Sequence, residues 1–220
     1  GHLLIEDVPG VGKTTLVNLV TRFFDVTEGE VLIDGINVKD YSEKSLYNKI
    51  GYVPQKSVLF KGTIRSNVDY GENENKNPSL ADIKHAVTVA QGADFVEAME
   101  DQYESEVSQG GLNLSGGQKQ RISIARAVHR KPEIYIFDDS FSALDYRTDR
   151  MLRKTLKEET GQVTTMIVAQ RIGTIMDADH IIVLDDGKIA GMGTHRELLG
   201  SCRIYREIAI SQLSEEELAL

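Results

Sequence analysis

The chain has 220 residues, 34 acidic against 25 basic side chains and a formal net charge of -9, enough length for one substantial core or one core with a small accessory lobe. Its acidity excludes a charge-based case for binding nucleic acid, and a single cysteine, Cys202, excludes a disulfide within the chain and points to a reducing compartment. No apolar run approaches the roughly 18 residues of a membrane span and no signal peptide is visible, so any membrane is reached through another segment or another chain.

Leu3-Leu4-Ile5 is a short apolar strand with nothing upstream to pair beside it. Asp7-Val8-Pro9-Gly10-Val11-Gly12-Lys13-Thr14-Thr15 follows and leads into an apolar helical pattern at Leu16, Leu19, Val20 and Phe23. Strand, glycine loop, Lys-Thr and helix together make a P-loop, with Pro9, Gly10, Val11, Gly12, Lys13, Thr14 and Thr15 as the phosphate cradle. Backbone N–H groups face the phosphates, Lys13 reaches the β and γ phosphates, and the Thr14 hydroxyl ligates Mg²⁺. Asp7 stands where the pattern usually has its first glycine, while Gly10 to Thr14 is intact.

Val31-Leu32-Ile33 and Ile36-Asn37-Val38 flank Asp34-Gly35, the signal of a type I′ hairpin. Such a unit is foreign to a purely doubly wound sheet and predicts an α/β core with an antiparallel β subdomain beside it. Ile50 to Gln55 reads as a strand ending at Gln55, whose amide has the reach to bond an Mg²⁺-bound water, although a glutamine after a strand says little by itself. Phe60-Lys61-Gly62-Thr63-Ile64 leads to a polar, solvated loop from Gly71 to Pro78. Ile83, Ala86, Val87 and Ala90, then Phe95, Val96 and Met99, predict two short helices, a helical lobe inserted after the P-loop. Ser108-Gln109-Gly110-Gly111 hands over to Leu114.

Leu114-Ser115-Gly116-Gly117-Gln118 opens the most informative stretch. Ser115 with Gln118 is a capping box, so a helix starts here, and the two glycines let an anion approach its N–H groups. The helix is a second phosphate seat. Ile122, Ala125 and Val128 give it a buried stripe, with Lys119, Arg121 and Arg126 off that stripe, and Lys131-Pro132 stops it. Ile134-Tyr135-Ile136-Phe137 then reads as a buried parallel strand presenting Asp138 and Asp139 at its C-terminal edge, where ligands of open α/β sheets bind. Ser142-Ala143-Leu144-Asp145 turns into a helix from about Arg147 to Glu159, and Val163 to Ala169 is a strand ending at Gln170-Arg171. Ile181 to Leu184, Asp186-Gly187 and Lys188 to Ala190 form a second hairpin, Thr194 to about Ser211 is helical, and Ser214 to Leu220 is an acidic tail. His2, His85, His129, His180 and His195 show no metal-ligand spacing and read as surface or structural.

With Gln55, Leu114 to Gln118, Asp138, Ser142 to Asp145 and Gln170 in this order, the chain from about Phe24 to its end resembles the nucleotide-binding domain of ABC transporters. Leu59 to Val68 is similar to the exporter type in particular. The resemblance implies a P-loop NTPase (RecA-like) α/β core with an antiparallel β subdomain and an inserted α-helical subdomain at about 80–127, within one ATP-binding domain over 1–220 whose N-terminal strands are missing. It implies that Lys13 and Thr14 are Walker A, Gln55 the Q-loop, Ser115, Gly116, Gly117 and Gln118 the signature, and Ser142 to Asp145 the D-loop. ATP and Mg²⁺ are the implied cofactors, with Thr14, Gln55 and Asp138 toward the metal and Asp139, Gln170 and Gln55 as the catalytic set. It further implies a second ABC domain paired head to tail, transmembrane partners, no nucleic acid, and a place at the cytoplasmic face of a membrane.

Three departures stand out. Asp139 replaces the usual glutamate beside the Walker B carboxylate, and the shift of roughly 1 Å costs about a hundredfold in rate. Gln170 replaces the usual switch-loop histidine and cannot carry a proton near neutral pH. Together these resemble the degenerate-site half of a heterodimeric exporter, whose own nucleotide is bound well and hydrolysed poorly; the alternative is a homodimer that is a slow ATPase. The third departure is the N-terminus, where residues 1–13 look more like a MoxR-type AAA+ P-loop and the adenine-stacking aromatic of an ABC domain is missing. An ATP-gated regulatory module with little turnover and an AAA+ remodelling ATPase stay open as alternatives to a transport ATPase.

Overall fold

The computed structural model describes residues 2–7 as backbone and 12–71, 78–161 and 163–214. Val8, the cradle residues Pro9, Gly10 and Val11, most of the predicted Gly71–Pro78 loop and nearly all of the acidic tail lie outside the described residues. In chain order the elements begin with β1 (His2–Asp7), α1 (Gly12–Val20), β2 (Leu32–Ile33), β3 (Ile36–Asn37), α2 (Glu43–Lys49) and β4 (Ile50–Val53). There follow β5 (Gly62–Thr63), α3 (Ile64–Val68), α4 (Leu80–Val89), α5 (Ala93–Glu97), β6 (Glu106–Val107), α6 (Gly116–His129) and β7 (Ile134–Asp138). The last are α7 (Tyr146–Thr160), β8 (Thr164–Val168), α8 (Ile172–Ile175), β9 (His180–Asp185), β10 (Lys188–Gly193), α9 (His195–Ser201) and α10 (Arg203–Gln212). Two compact units share them. Gly1–Ile50, Ile136–Asp139 and Thr164–Leu220 form the first, and Gly51–Tyr135 with Ser140–Val163 the second.

Neighbouring strands of the first unit run in the order β10-β9-β1-β8-β7. The predicted Leu3–Ile5 strand is central there: β1 pairs in parallel with β8, His2 opposite Thr165 and Ile5 opposite Val168, and with β9, Leu3 opposite His180. Thr165–Val168 and Ile136–Asp138 are buried throughout, the near-continuous burial that a parallel strand covered on both faces needs. β9 and β10 form the second predicted hairpin, antiparallel at one end of that row. Both hairpin turns have positive φ at both central residues, 53° and 76° at Asp34-Gly35 and 46° and 72° at Asp186-Gly187, as the type I′ geometry demands. The first hairpin is a separate two-stranded sheet of two residues a side, β2 with β3.

The apolar pattern expected to carry α1 through Phe23 is corrected. The helix ends at Val20, Arg22 takes a left-handed φ of 57°, and the Arg22 and Phe23 N–H groups return to the Leu19 and Asn18 carbonyls in a Schellman closure. Phe23 therefore leaves the helical face and is 52% exposed, while Val17 is fully buried. The C-terminal helical stretch also breaks, because Cys202 is extended at φ −110° and ψ 109° between α9 and α10.

The second unit is organised on α6, which packs against α3 and α4. Ile122, Ala125 and Val128 are buried as expected, and so are Gln120, Ser123, Ile124 and His129, so the helix is sheathed nearly all round. Arg121 and Arg126 are accordingly drawn inward and donate to backbone carbonyls, Arg121 to Gln91 at 2.6 Å and Arg126 to Asn67 at 2.8 Å. The strand expected to reach Gln55 stops at Val53, since Pro54 has no N–H to continue a ladder. A short helix not expected from the sequence, α3, is nucleated by a capping box between Thr63 and Ser66.

Candidate functional site

In the first unit, three chain segments bring Lys13, Thr14, Asp138, Asp139 and Gln170 together. Gly12 opens α1, so Lys13 and Thr14 stand in its first turn, where the helix dipole and N–H groups that lack intrahelical acceptors favour an anion. Lys13 is only 7% exposed, and its ammonium donates to the Ala169 carbonyl at 3.2 Å, at the C-terminal end of β8. A lysine buried that deeply is a charge retained for a purpose. The Thr14 hydroxyl donates to Asp138 Oδ1 at 3.1 Å, joining the helix start to the end of β7.

That donor set fits Mg²⁺ bound with a polyphosphate. A hydroxyl and a carboxylate oxygen already adjacent are hard ligands, and Mg²⁺ characteristically takes one or two from protein and the rest from phosphates and water. Among the described residues no group of three or more His, Cys, Asp or Glu could hold a metal ion by itself.

Asp139, 8% exposed, follows β7 with a left-handed φ of 47°. Asp tolerates this conformation better than most residues, and such outliers gather at functional sites. Its N–H donates to the Val168 carbonyl at 2.9 Å, and its Oδ2 accepts from Gln170 Nε2 at 2.8 Å. The two unusual residues found in the sequence, 31 positions apart, are thus bonded to each other.

The remaining motif residues lie in the second unit. Gln55 is exposed in a bend after β4. Ser115 caps α6, accepting from the Gln118 N–H at 3.3 Å while the Gln118 side chain accepts from the Ser115 N–H at 2.9 Å. A Cβ on Gly117 would lie 3.3 Å from the Ala143 carbonyl of the Ser142–Asp145 turn, whereas one on Gly116 would meet nothing within 4 Å among the described residues. Asp145 caps α7, and the N–H and hydroxyl of Thr148 hold its carboxyl below the usual range. Sequence reasoning passed over Gln120, Ser57 and Ser140, which hold the backbone around Gln55. For Gln120 a signal existed: it lies one helical repeat before Ile124, on a buried face. The described histidines are structural or superficial: His129 bonds Asp69, His195 bonds Tyr205 and exposed His85 bonds Glu159.

The sequence model of the family described as ABC transporter matches residues 8–142. An uncharacterized ABC transporter ATP-binding protein of Mycobacterium tuberculosis is 47% identical over 203 residues, 92% of this chain and 34% of that protein. A putative multidrug export ATP-binding/permease protein of Staphylococcus aureus is 42% identical over 201 residues, 90% of this chain and 34% of that protein. The solved structure of a bacterial Atm1-family ABC exporter with ATP bound superposes with a TM-score of 0.92 at 40% identity, covering 97% of this chain and 37% of that one. The chain therefore spans about a third of the length of these relatives.

Proposed function

The chain belongs to the ABC transporter family, as an ATP-binding domain of the exporter type, and from that premise we propose that it binds Mg²⁺-ATP and turns it over slowly to power a membrane exporter. The observation that carries the slow turnover is the Asp139–Gln170 hydrogen bond at 2.8 Å. Lys13 holds the phosphates, Thr14 and Asp138 hold the cation, and Gln55 orients what lies beside it. Mg²⁺, when bound, draws charge from the phosphate oxygens. Asp139 is the residue placed to accept a proton from an attacking water, but one carboxylate oxygen is engaged by the Gln170 amide and the side chain is one methylene shorter than glutamate. Gln170 keeps that carboxylate oriented and has no proton to exchange near neutral pH.

On this reading the domain works opposite a second, non-identical ABC domain at the cytoplasmic face of a membrane, joined to transmembrane segments that choose the cargo. The N-terminus of α6, with Ser115 exposed, serves the partner's nucleotide. A nucleotide-gated module that closes with little turnover is the competing reading. Replacing Asp139→Glu together with Gln170→His in the reconstituted pair separates them: turnover at this chain's site is expected to rise about tenfold or more, general base catalysis being worth roughly 10² to 10⁴. Turnover that stays where it was removes the account of an impaired pair.

A further inference from the structure

The end of β4 is held by two side chains from distant parts of the second unit. Ser140 donates its hydroxyl to the Val53 carbonyl at 2.8 Å. Gln120, on α6 and 2% exposed, donates its amide to the Pro54 carbonyl at 3.3 Å and accepts from the Ser57 hydroxyl at 2.5 Å. Gln55 and Lys56 stand exposed between those two clamped residues. A buried amide satisfied at both ends is not filling space: an apolar side chain of the same volume would leave the Pro54 carbonyl and the Ser57 hydroxyl without these bonds.

The same helix presents Ser115 and Gly116 at its N-terminus, and its Gly117 lies close against the Ala143 carbonyl. Gln120 stands barely a turn further along. We infer that Gln120 is a positioning residue, which ties the loop carrying Gln55 to the glycine-tipped end of α6 so that Gln55 is held in one place and shifts only when that helix shifts. Its effect on nucleotide chemistry is exerted through Gln55 and rests on the ATPase function proposed above; the clamp itself does not.

Gln120→Met keeps the side-chain volume and removes both bonds, and Ser57→Ala removes one. Amide hydrogen exchange of the nucleotide-free chain at Gln55 and Lys56 is expected to quicken in Gln120→Met and to be intermediate in Ser57→Ala. In the assembled transporter Gln120→Met is expected to lower kcat roughly tenfold to a hundredfold, the scale of a 1 Å misplacement, with KM for ATP within about twofold. Gln55→Ala is expected to fall comparably, and the Gln55→Ala, Gln120→Met double variant no further than Gln55→Ala alone. Unchanged exchange at Gln55 and Lys56 overturns the clamp, and a double variant that falls by the product of the two single losses overturns the action through Gln55. If Gln120→Met does not fold, Ser57→Ala carries both readouts. If the unaltered protein neither binds nor turns over ATP, the proposed function fails, and hydrogen exchange still decides the clamp.

Discussion

His195 at the start of α9 is 8% exposed, its Nδ1 lies 2.7 Å from the Tyr205 hydroxyl, and its Nε2 is buried with no hydrogen-bond partner among the described residues. Burial lowers the imidazole pKa below its ordinary value, with Asp177 opposing. A depressed basic group favours the neutral form in the fold, so its contribution is intact above the unfolded pKa of about 6.5 and is lost as pH falls through that value. Denaturation midpoints are therefore expected to drop between about pH 7 and pH 5, and to drop less in His195→Gln, which keeps a partner for Tyr205 without a titrating group. Equal slopes in the two proteins would show that His195 does not set the acid limb. At this scale the sequence was only partly legible. The meeting of Thr14 with Asp138 follows from motif chemistry, because a cation held between them would need both groups within reach. The left-handed φ of Asp139 and its bond to Gln170 do not, because they are decided by two strand ends 31 residues apart. Nor does the Lys13 to Ala169 bond, which spans 156 residues.

Elements were legible where a local rule and the tertiary environment agree. The capping box of α6 and both Asp-Gly turns are of that kind, since backbone dihedrals and short-range hydrogen bonds decide them within a few residues. The buried stripe of Ile122, Ala125 and Val128 was legible too, whereas the burial of Gln120, Ser123, Ile124 and His129 beside it was not, because the helix is surrounded and its polar side chains are drawn to backbone carbonyls. The two glycines at its start differ in the space around them. Gly116 has open space where a Cβ would go, whereas a Cβ on Gly117 would sit 3.3 Å from the Ala143 carbonyl. Gly116→Ala is thus expected to melt no lower than the unaltered chain, gaining up to about 1 kcal/mol of helix propensity. Gly117→Ala must displace the backbone ahead of α7 and is expected to lose roughly 1 kcal/mol, about 2–4 °C in Tm for a domain of this size. Thermal melts of the two variants decide the matter, and a Gly116→Ala protein less stable than Gly117→Ala would contradict it.

At the scale of the whole molecule, the proposed function gives one chain two anion seats: the first turn of α1 with Lys13 and Thr14, and the N-terminus of α6, where Ser115 and Gly116 are exposed. A nucleotide needs one of them from each of two chains if the second seat serves a partner. Ser115→Arg tests the arrangement directly, because a long side chain at the α6 N-cap obstructs whatever anion approaches there. The substitution also deletes the capping box, worth about 1 kcal/mol, so Ser115→Ala is the necessary control: it removes the cap and adds no bulk. In a reconstituted pair with one site silenced at a time, Ser115→Arg is expected to abolish turnover at the partner's site, leave ATP affinity of this chain's own P-loop within about twofold, and fall well below Ser115→Ala, since loss of the cap alone leaves the helix start open to the phosphates. Lost affinity at the chain's own P-loop would instead make Ser115 a ligand of the same chain's nucleotide, and the head-to-tail pairing would have to be abandoned.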